Sequence, residues 1–221
     1  MTESVRKGGE RLNEKFLELP EEKQLRVINA AMEVFAKNEY KHAVTDDIAS
    51  KAGVSKGLLF YYFKNKKNLY LYVFHYTMDV MRKQILDAKF QEIDDFFELL
   101  EYASYKKCAI IDKNPYLMDF TMKCIFGDKE NVSPELQKDI SKETGTIFSV
   151  YFKNINLKKF RDDISPEYLT RMLTWMSEGY VLEKKMQGKK LIIEEIMADF
   201  KQWSQFFRKI AYKEEYLNES N

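Results

Sequence analysis

Residues 44–69 read VTDDIASKAGVSKGLLFYYFKNKKNL, and no other stretch narrows the choice of fold so far. Thr45, Asp46 and Asp47 open a short helix whose inner face carries Ile48 and Ala52. The two acids read as favourable partners of the helix dipole rather than as paired catalytic carboxylates. Gly53 breaks that helix, since glycine accepts φ > 0 at little steric cost. Val54 is an apolar residue in the turn, and Ser55 can cap a second helix over 56–63 by accepting a bond from an orphan N–H. Two short helices joined by a turn of about three to four residues containing glycine form a helix-turn-helix, whose second helix enters the DNA major groove.

The second helix can be read face by face. At roughly 100° per residue, Leu59 and Phe63 share the side predicted to be buried, and Gly57 and Tyr61 fall opposite. Leu58 and Tyr62 lie on one flank and Phe60 on the other. Glycine costs a helix about 1 kcal/mol against alanine. Close approach of the backbone to a phosphate or base edge would explain why Gly57 is there. Tyr61 and Tyr62 carry hydroxyls able to reach phosphates, and Lys56 can reach a base edge or a phosphate.

Charge points the same way. Lys51, Lys56, Lys64, Lys66 and Lys67 fall between positions 51 and 67, a span that holds no Asp or Glu. Asn65 is placed to cap the next helix, and a helix start ringed by lysines suits an anion. The candidate DNA-binding set is therefore Thr45, Ser55, Lys56, Gly57, Leu58, Phe60, Tyr61, Tyr62, Lys64, Lys66 and Lys67. The formal net charge of the chain is only +1, so attraction to a polyanion has to come from this local patch.

With Phe35, Tyr40, Ile48, Ala49, Ala52, Gly53, Val54, Ser55, Lys56, Gly57, Leu59, Tyr62, Phe63, Lys66 and Leu69 in one continuous region, the chain resembles the DNA-binding region of TetR (tetracycline-repressor-like) transcription regulators. It departs from that pattern at Glu39 (usually Gly), Val44 (usually Ser or Thr, so Thr45 is expected to cap instead), Phe60 (commonly Tyr) and Lys67-Asn68 (often acids). The resemblance implies a DNA-binding repressor that acts as a homodimer on a palindromic operator and is released by a small molecule. A helical module that binds a ligand or partner without operator-specific DNA binding is the alternative.

The rest of the 221-residue chain is long enough for a large core. Four prolines, eight glycines and the absence of a convincing alternating pattern predict an all-α fold. Residues 1–19 form an N-terminal extension of mixed charge with a weak helical stretch around Leu12, Phe16 and Leu17. It reads as a frayed leader or loosely docked helix, or as a basic arm using Arg6, Lys7 and Arg11. Pro20 suits a helix start. Leu25, Ile28, Ala31, Met32 and Phe35 then give a support helix to about 38, completing a three-helix DNA-binding domain over 20–65.

Residues 66–221 are expected to form a larger helical effector-binding and dimerisation domain. Helices are predicted over 66–88, 93–112, 115–126 and 134–154, then from Pro166 and after Gly188. Ser133-Pro134 and Ser165-Pro166 read as N-caps followed by first helical residues. The first of these helices starts at the phosphates and continues into the second domain, so it could pass a tilt between them. Stripes at Leu169, Met172, Leu173, Met176, Tyr180 and at Ile193, Ile196, Met197, Phe200, Trp203, Phe207, Ile210 mark the last two helices. Leu191, Ile192 and Phe206 widen the second stripe, and Gly179 suggests a close crossing.

By the resemblance these two helices build a dimer interface, with Met172, Gly179, Met197, Phe200, Trp203 and Phe207 as its candidates. It also implies an effector pocket, for which Phe74, Met78, Tyr105, Tyr116, Phe120, Cys124, Trp175, Met176 and Glu178 are the candidates. A pocket rich in Met and aromatics would suit an apolar, aromatic or cationic ligand. His42 and His75 are the only histidines, and His75 reads as a packed core residue. No metal cluster, phosphate loop or nucleophile–base pair is found, so no enzyme, metal or cofactor is expected. Cys108 and Cys124 lack metal-ligand spacing and are expected to stay reduced. No leader and no run of about 20 apolar residues is found, so a soluble cytoplasmic protein without a membrane partner is expected.

Overall fold

The structure is a computed structural model that describes residues 14–126, 134, 137–138, 141–142, 150–189 and 192–217. The described residues are helical, with one isolated antiparallel bridge, Phe160 to Tyr212. The helices are α1 (Glu14–Leu17), α2 (Glu21–Lys37), α3 (Thr45–Ala52), α4 (Lys56–Phe63), α5 (Lys66–Ile85), α6 (Ala88–Glu92), α7 (Phe96–Lys113), α8 (Pro115–Phe126), α9 (Pro166–Met186) and α10 (Ile193–Ala211). Most of the helix expected over 134–154 lies outside the described residues, as do residues 1–13 and Leu191.

Two compact units emerge, Met1–Gln84 with Ile110–Ile147, and Ile85–Ala109 with Phe148–Asn221. In the first unit α2 packs on both α3 and α8, because its apolar residues surround more than one side. Val27, Ile28, Ala31, Met32, Val34 and Phe35 are all buried. Phe35 meets the Tyr70 ring of α5 at 4.8 Å, and Tyr70 meets Phe120 of α8 at 5.1 Å. The residues of α5 from Leu69 to Phe74 are buried on every side, as expected of a helix at the centre of a unit.

In the second unit the polar node is Asp95. Its carboxylate accepts from the Phe97 and Glu98 amides, so it caps α7. This explains why α7 starts at 96 rather than at 93. Arg208 of α10 forks onto both Asp95 oxygens, and Lys159 stands 3.4 Å away. The Arg208 guanidinium lies over the Phe97 and Tyr212 rings. The Tyr212 hydroxyl accepts from the Phe96 amide at 3.2 Å. Phe96, Phe97, Phe152 and Phe160 close the aromatic shell. Burial alone would push the Asp95 carboxyl up, but the Glu98 amide, Arg208 and Lys159 outweigh it and hold the group below the usual carboxylate range.

The helix expected over 66–88 stops at Ile85 because Asp87 caps α6, accepting from the Phe90 amide at 3.0 Å. Of the N-terminal extension only residues 14–19 are described, and there α1 is docked. Phe16 is fully buried.

Truncating Arg208 would leave Asp95 buried without its main cation. We expect Arg208→Ala to cost about 3–5 kcal/mol in urea denaturation. The Asp95 contribution is present above its unfolded pKa of about 3.9 and is lost as pH falls through its lower folded value. Wild-type stability should therefore drop in that acid window, and Asp95→Asn should flatten the drop.

Candidate nucleic-acid interface

The turn between α3 and α4 forms as its local chemistry dictates. Gly53 takes φ 67° and ends α3, a left-handed conformation that costs glycine little. Ser55 is extended, and its side chain accepts from the Leu58 amide at 3.1 Å. Thr45 does not cap α3. It is the first helical residue, and Val44 occupies the cap position with no side-chain bond to give. Asp46 and Asp47 in the first turn supply the dipole complement instead.

Leu59 and Phe63 are buried and anchor α4. On its other side Gly57 is exposed, Tyr61 is 55% exposed and Leu58 is exposed as well, while Phe60 is half-buried. A Cβ added at Gly57 would meet nothing nearer than the Ser55 hydroxyl at 4.0 Å, so none of the described residues demands glycine there. Tyr62 departs from its expected place. It is only 6% exposed because the Phe16 ring covers it, with centroids 5.4 Å apart. Tyr62 belongs to the packing of α4 rather than to its outer face.

The lysines divide into two groups. Lys66 is tied down: its ammonium donates to the Lys41 and Ala43 carbonyls at 3.2 and 3.1 Å and lies 4.8 Å from the Tyr40 ring centroid. Burial lowers its pKa. Lys66 therefore fixes the 40–43 loop, a role that the charge pattern did not disclose. Lys56 pairs with Asp46 at 2.9 Å and Lys51 with Glu33 at 3.0 Å, all near the surface, so both pairs can rearrange at little cost. Lys64 is exposed and takes φ 62° in the turn after α4. Asn65 then caps α5, accepting from the Asn68 amide at 2.8 Å. Lys67 is half-buried in the first turn of α5.

The expected pocket residues fall into both units. In the first, Phe74, Met78, Phe120 and Cys124 are buried. Phe120 packs on Phe35 and Tyr70. The Cys124 thiol donates to the Tyr70 hydroxyl at 3.1 Å, and burial pushes that thiol up to about 12. Lys37 lies over Tyr116 at 5.0 Å. In the second, Tyr105 and Trp175 are 60% and 55% exposed, contrary to expectation, because they project from the outward sides of α7 and α9. Met176 is half-buried. Burial raises the Glu178 carboxyl, and its Oε1 is enclosed with no hydrogen-bond partner among the described residues. An open depression of about 250 Å³ lies elsewhere, between α2 and α3, lined by Glu33, Val34, Lys37, Asn38, Asp47, Ser50 and Lys51. Among the described residues no group of three or more His, Cys, Asp or Glu could hold a metal, and no helix is long and apolar enough to cross a membrane.

Residues 27–73 match the family model of bacterial regulatory proteins, tetR family. Over that stretch the chain carries the DNA-binding motif of the TetR family. The fatty acid metabolism regulator protein of Bacillus subtilis is 39% identical over 56 residues, 25% of this chain and 29% of that protein. The chain thus matches under a third of that relative's length. The biofilm operon negative transcriptional regulator IcaR of Staphylococcus aureus is 21% identical over 186 residues, covering 80% of this chain and 91% of IcaR. The crystal structure of FadR from Bacillus subtilis with stearoyl-CoA superposes with a TM-score of 0.60 at 18% identity, over 82% of this chain and 96% of FadR. That likeness speaks to the fold.

Since no described residue fills the space above Gly57, alanine there should stabilise the helix by up to about 1 kcal/mol. We expect Gly57→Ala to raise the denaturation midpoint while weakening duplex binding several-fold in fluorescence anisotropy.

Proposed function

We propose that the chain is a dimeric, ligand-responsive DNA-binding transcriptional regulator that acts as a repressor. The single observation that carries this reading is the outward face of α4. Gly57 and Tyr61 lie in solvent over buried Leu59 and Phe63, in a span of sequence free of acids. An eight-residue helix presented this way can lay its open backbone and the Tyr61 hydroxyl against a groove, with Lys56, Lys64 and Lys67 at the phosphates. Repression is favoured by IcaR, which is named a negative regulator.

A dimer supplies the second recognition helix that a palindromic site requires. Its proposed surface differs from the residues first expected. Phe200 is buried within the subunit, and the Met197 sulfur lies 3.9 Å from the Cys108 sulfur. Met172, Trp203 and Phe207 are half-buried, and Trp203 packs near Tyr180 at 5.9 Å. Among the described residues Gly179 makes no close crossing, and its open side faces nothing within 4 Å. Tyr168, Trp175 and Leu182, spaced by seven, join Gly179 and Met186 on one exposed face of α9, and Phe206 and Ile210 are exposed on α10. Residues seven apart stay within about 20° on a helix. Such an apolar stripe supports a helical interface between two copies.

The effector is taken to be an apolar small molecule. The FadR structure contains stearoyl-CoA, so a long-chain acyl thioester is the first compound to try, with release from DNA as the readout.

Two measurements test the reading. Affinity for duplex from the chain's own upstream region should exceed affinity for random duplex and fall steeply with salt; equal affinity at every salt concentration would favour the ligand- or partner-binding module. Leu182→Glu should yield monomers in analytical ultracentrifugation and weaken specific binding, whereas a dimer unaffected by that charge would remove the α9 face from the interface.

A further inference from the structure

We propose that α1 is a brace that sets the pose of the recognition helix, with Phe16 as its positioning residue. The proposal rests on the DNA-binding reading of α4 and assigns a task to a segment outside the matched family region 27–73.

A four-residue helix has no stability of its own, so the place of α1 is owed to its contacts. Phe16 is fully buried and touches three rings. It meets Phe63 at 4.7 Å and Tyr62 at 5.4 Å, both on α4, and Tyr72 of α5 at 5.4 Å. At its other end α1 is fastened to α2. Gln24, itself buried, donates from Nε2 to the Leu17 and Leu19 carbonyls at 3.2 and 2.8 Å. The Leu19 amide closes back on the Phe16 carbonyl at 3.3 Å. The short helix is thus pinned to α2, while its one buried side chain is driven against α4 and α5.

The recognition helix is held by α3 and by this brace. With only eight residues, it has few side chains to spend on anchoring, and two of them, Tyr62 and Phe63, are the ones that Phe16 covers. Lys15 pairs with Glu18 at 2.8 Å, and its pKa is raised first by that pairing and last by Tyr61, so α1 borders the outer face of α4. Base reading needs hydrogen bonds held near 3 Å. Phosphate contacts through long lysines tolerate a small tilt. Loosening the brace should therefore erode sequence discrimination and leave backbone binding in place.

The test uses the full-length chain. Wild-type protein enriches a sequence from a random duplex pool, and the enriched duplex and a random duplex are then bound by wild type, Phe16→Ala and Phe16→Leu. Phe16→Ala should bind the enriched duplex about tenfold more weakly or worse, yet bind random duplex within about twofold of wild type with the same salt slope. Phe16→Leu should fall between them, and it keeps the test open if the alanine variant does not fold. Hydrogen exchange should quicken at the amides of residues 59–63 in Phe16→Ala. Full discrimination in both variants, or an equal loss on both duplexes, overturns the brace. A wild-type chain that enriches no sequence contradicts the DNA-binding reading itself, a failure visible before any variant is made, and the brace falls with it.

Discussion

The burial of two side chains, Leu59 and Phe63, decides which way α4 faces. A helix of eight residues cannot hold its own geometry in water, so its direction is set by what it buries. Once those two are inside, the roughly 100° step of the helix places Gly57 and Tyr61 outside. The caps then fix where the helix begins and ends. Ser55 closes its start, and the turn through Lys64 and Asn65 hands the chain to α5. The surface proposed to meet a groove is thus a by-product of core packing, and it would be lost if the core were loosened.

Electrostatics act on top of that frame. With a net charge of +1, the molecule has no general attraction for a polyanion, and the acid-free run must act at short range. Its lysines are not equivalent. Lys66 is spent on holding the 40–43 loop, and Lys56 and Lys51 are paired with carboxylates near the surface. Such pairs exchange readily for phosphate, because an exposed ion pair is worth no more than about 1 kcal/mol. Phosphate contacts can therefore be made without disturbing Leu59 or Phe63.

Much of this was legible in the sequence wherever structure follows from neighbouring residues. Gly53, Ser55 and Asn65 do what their side chains and backbone preferences require within three residues of themselves. Tyr62 was not legible, because its cover, Phe16, comes from a distant part of the chain that periodicity does not connect to it. The same holds for α7, where Asp95 stops the helix from starting at 93 and takes its strength from Arg208 of α10. Helical spacing on α9 and α10 marked apolar faces but not which face serves the subunit's own core. Phe200 turned out to be inside and Trp175 outside.

The central claim is that Tyr61, and not its neighbour Tyr62, faces the nucleic acid. A photo-reactive phenylalanine analogue at each position, irradiated with bound duplex, tests it most directly. Position 61 should cross-link to DNA and position 62 to the protein's own residue 16 segment. A cross-link to DNA from 62 with none from 61 would contradict the orientation of α4 on which the account stands.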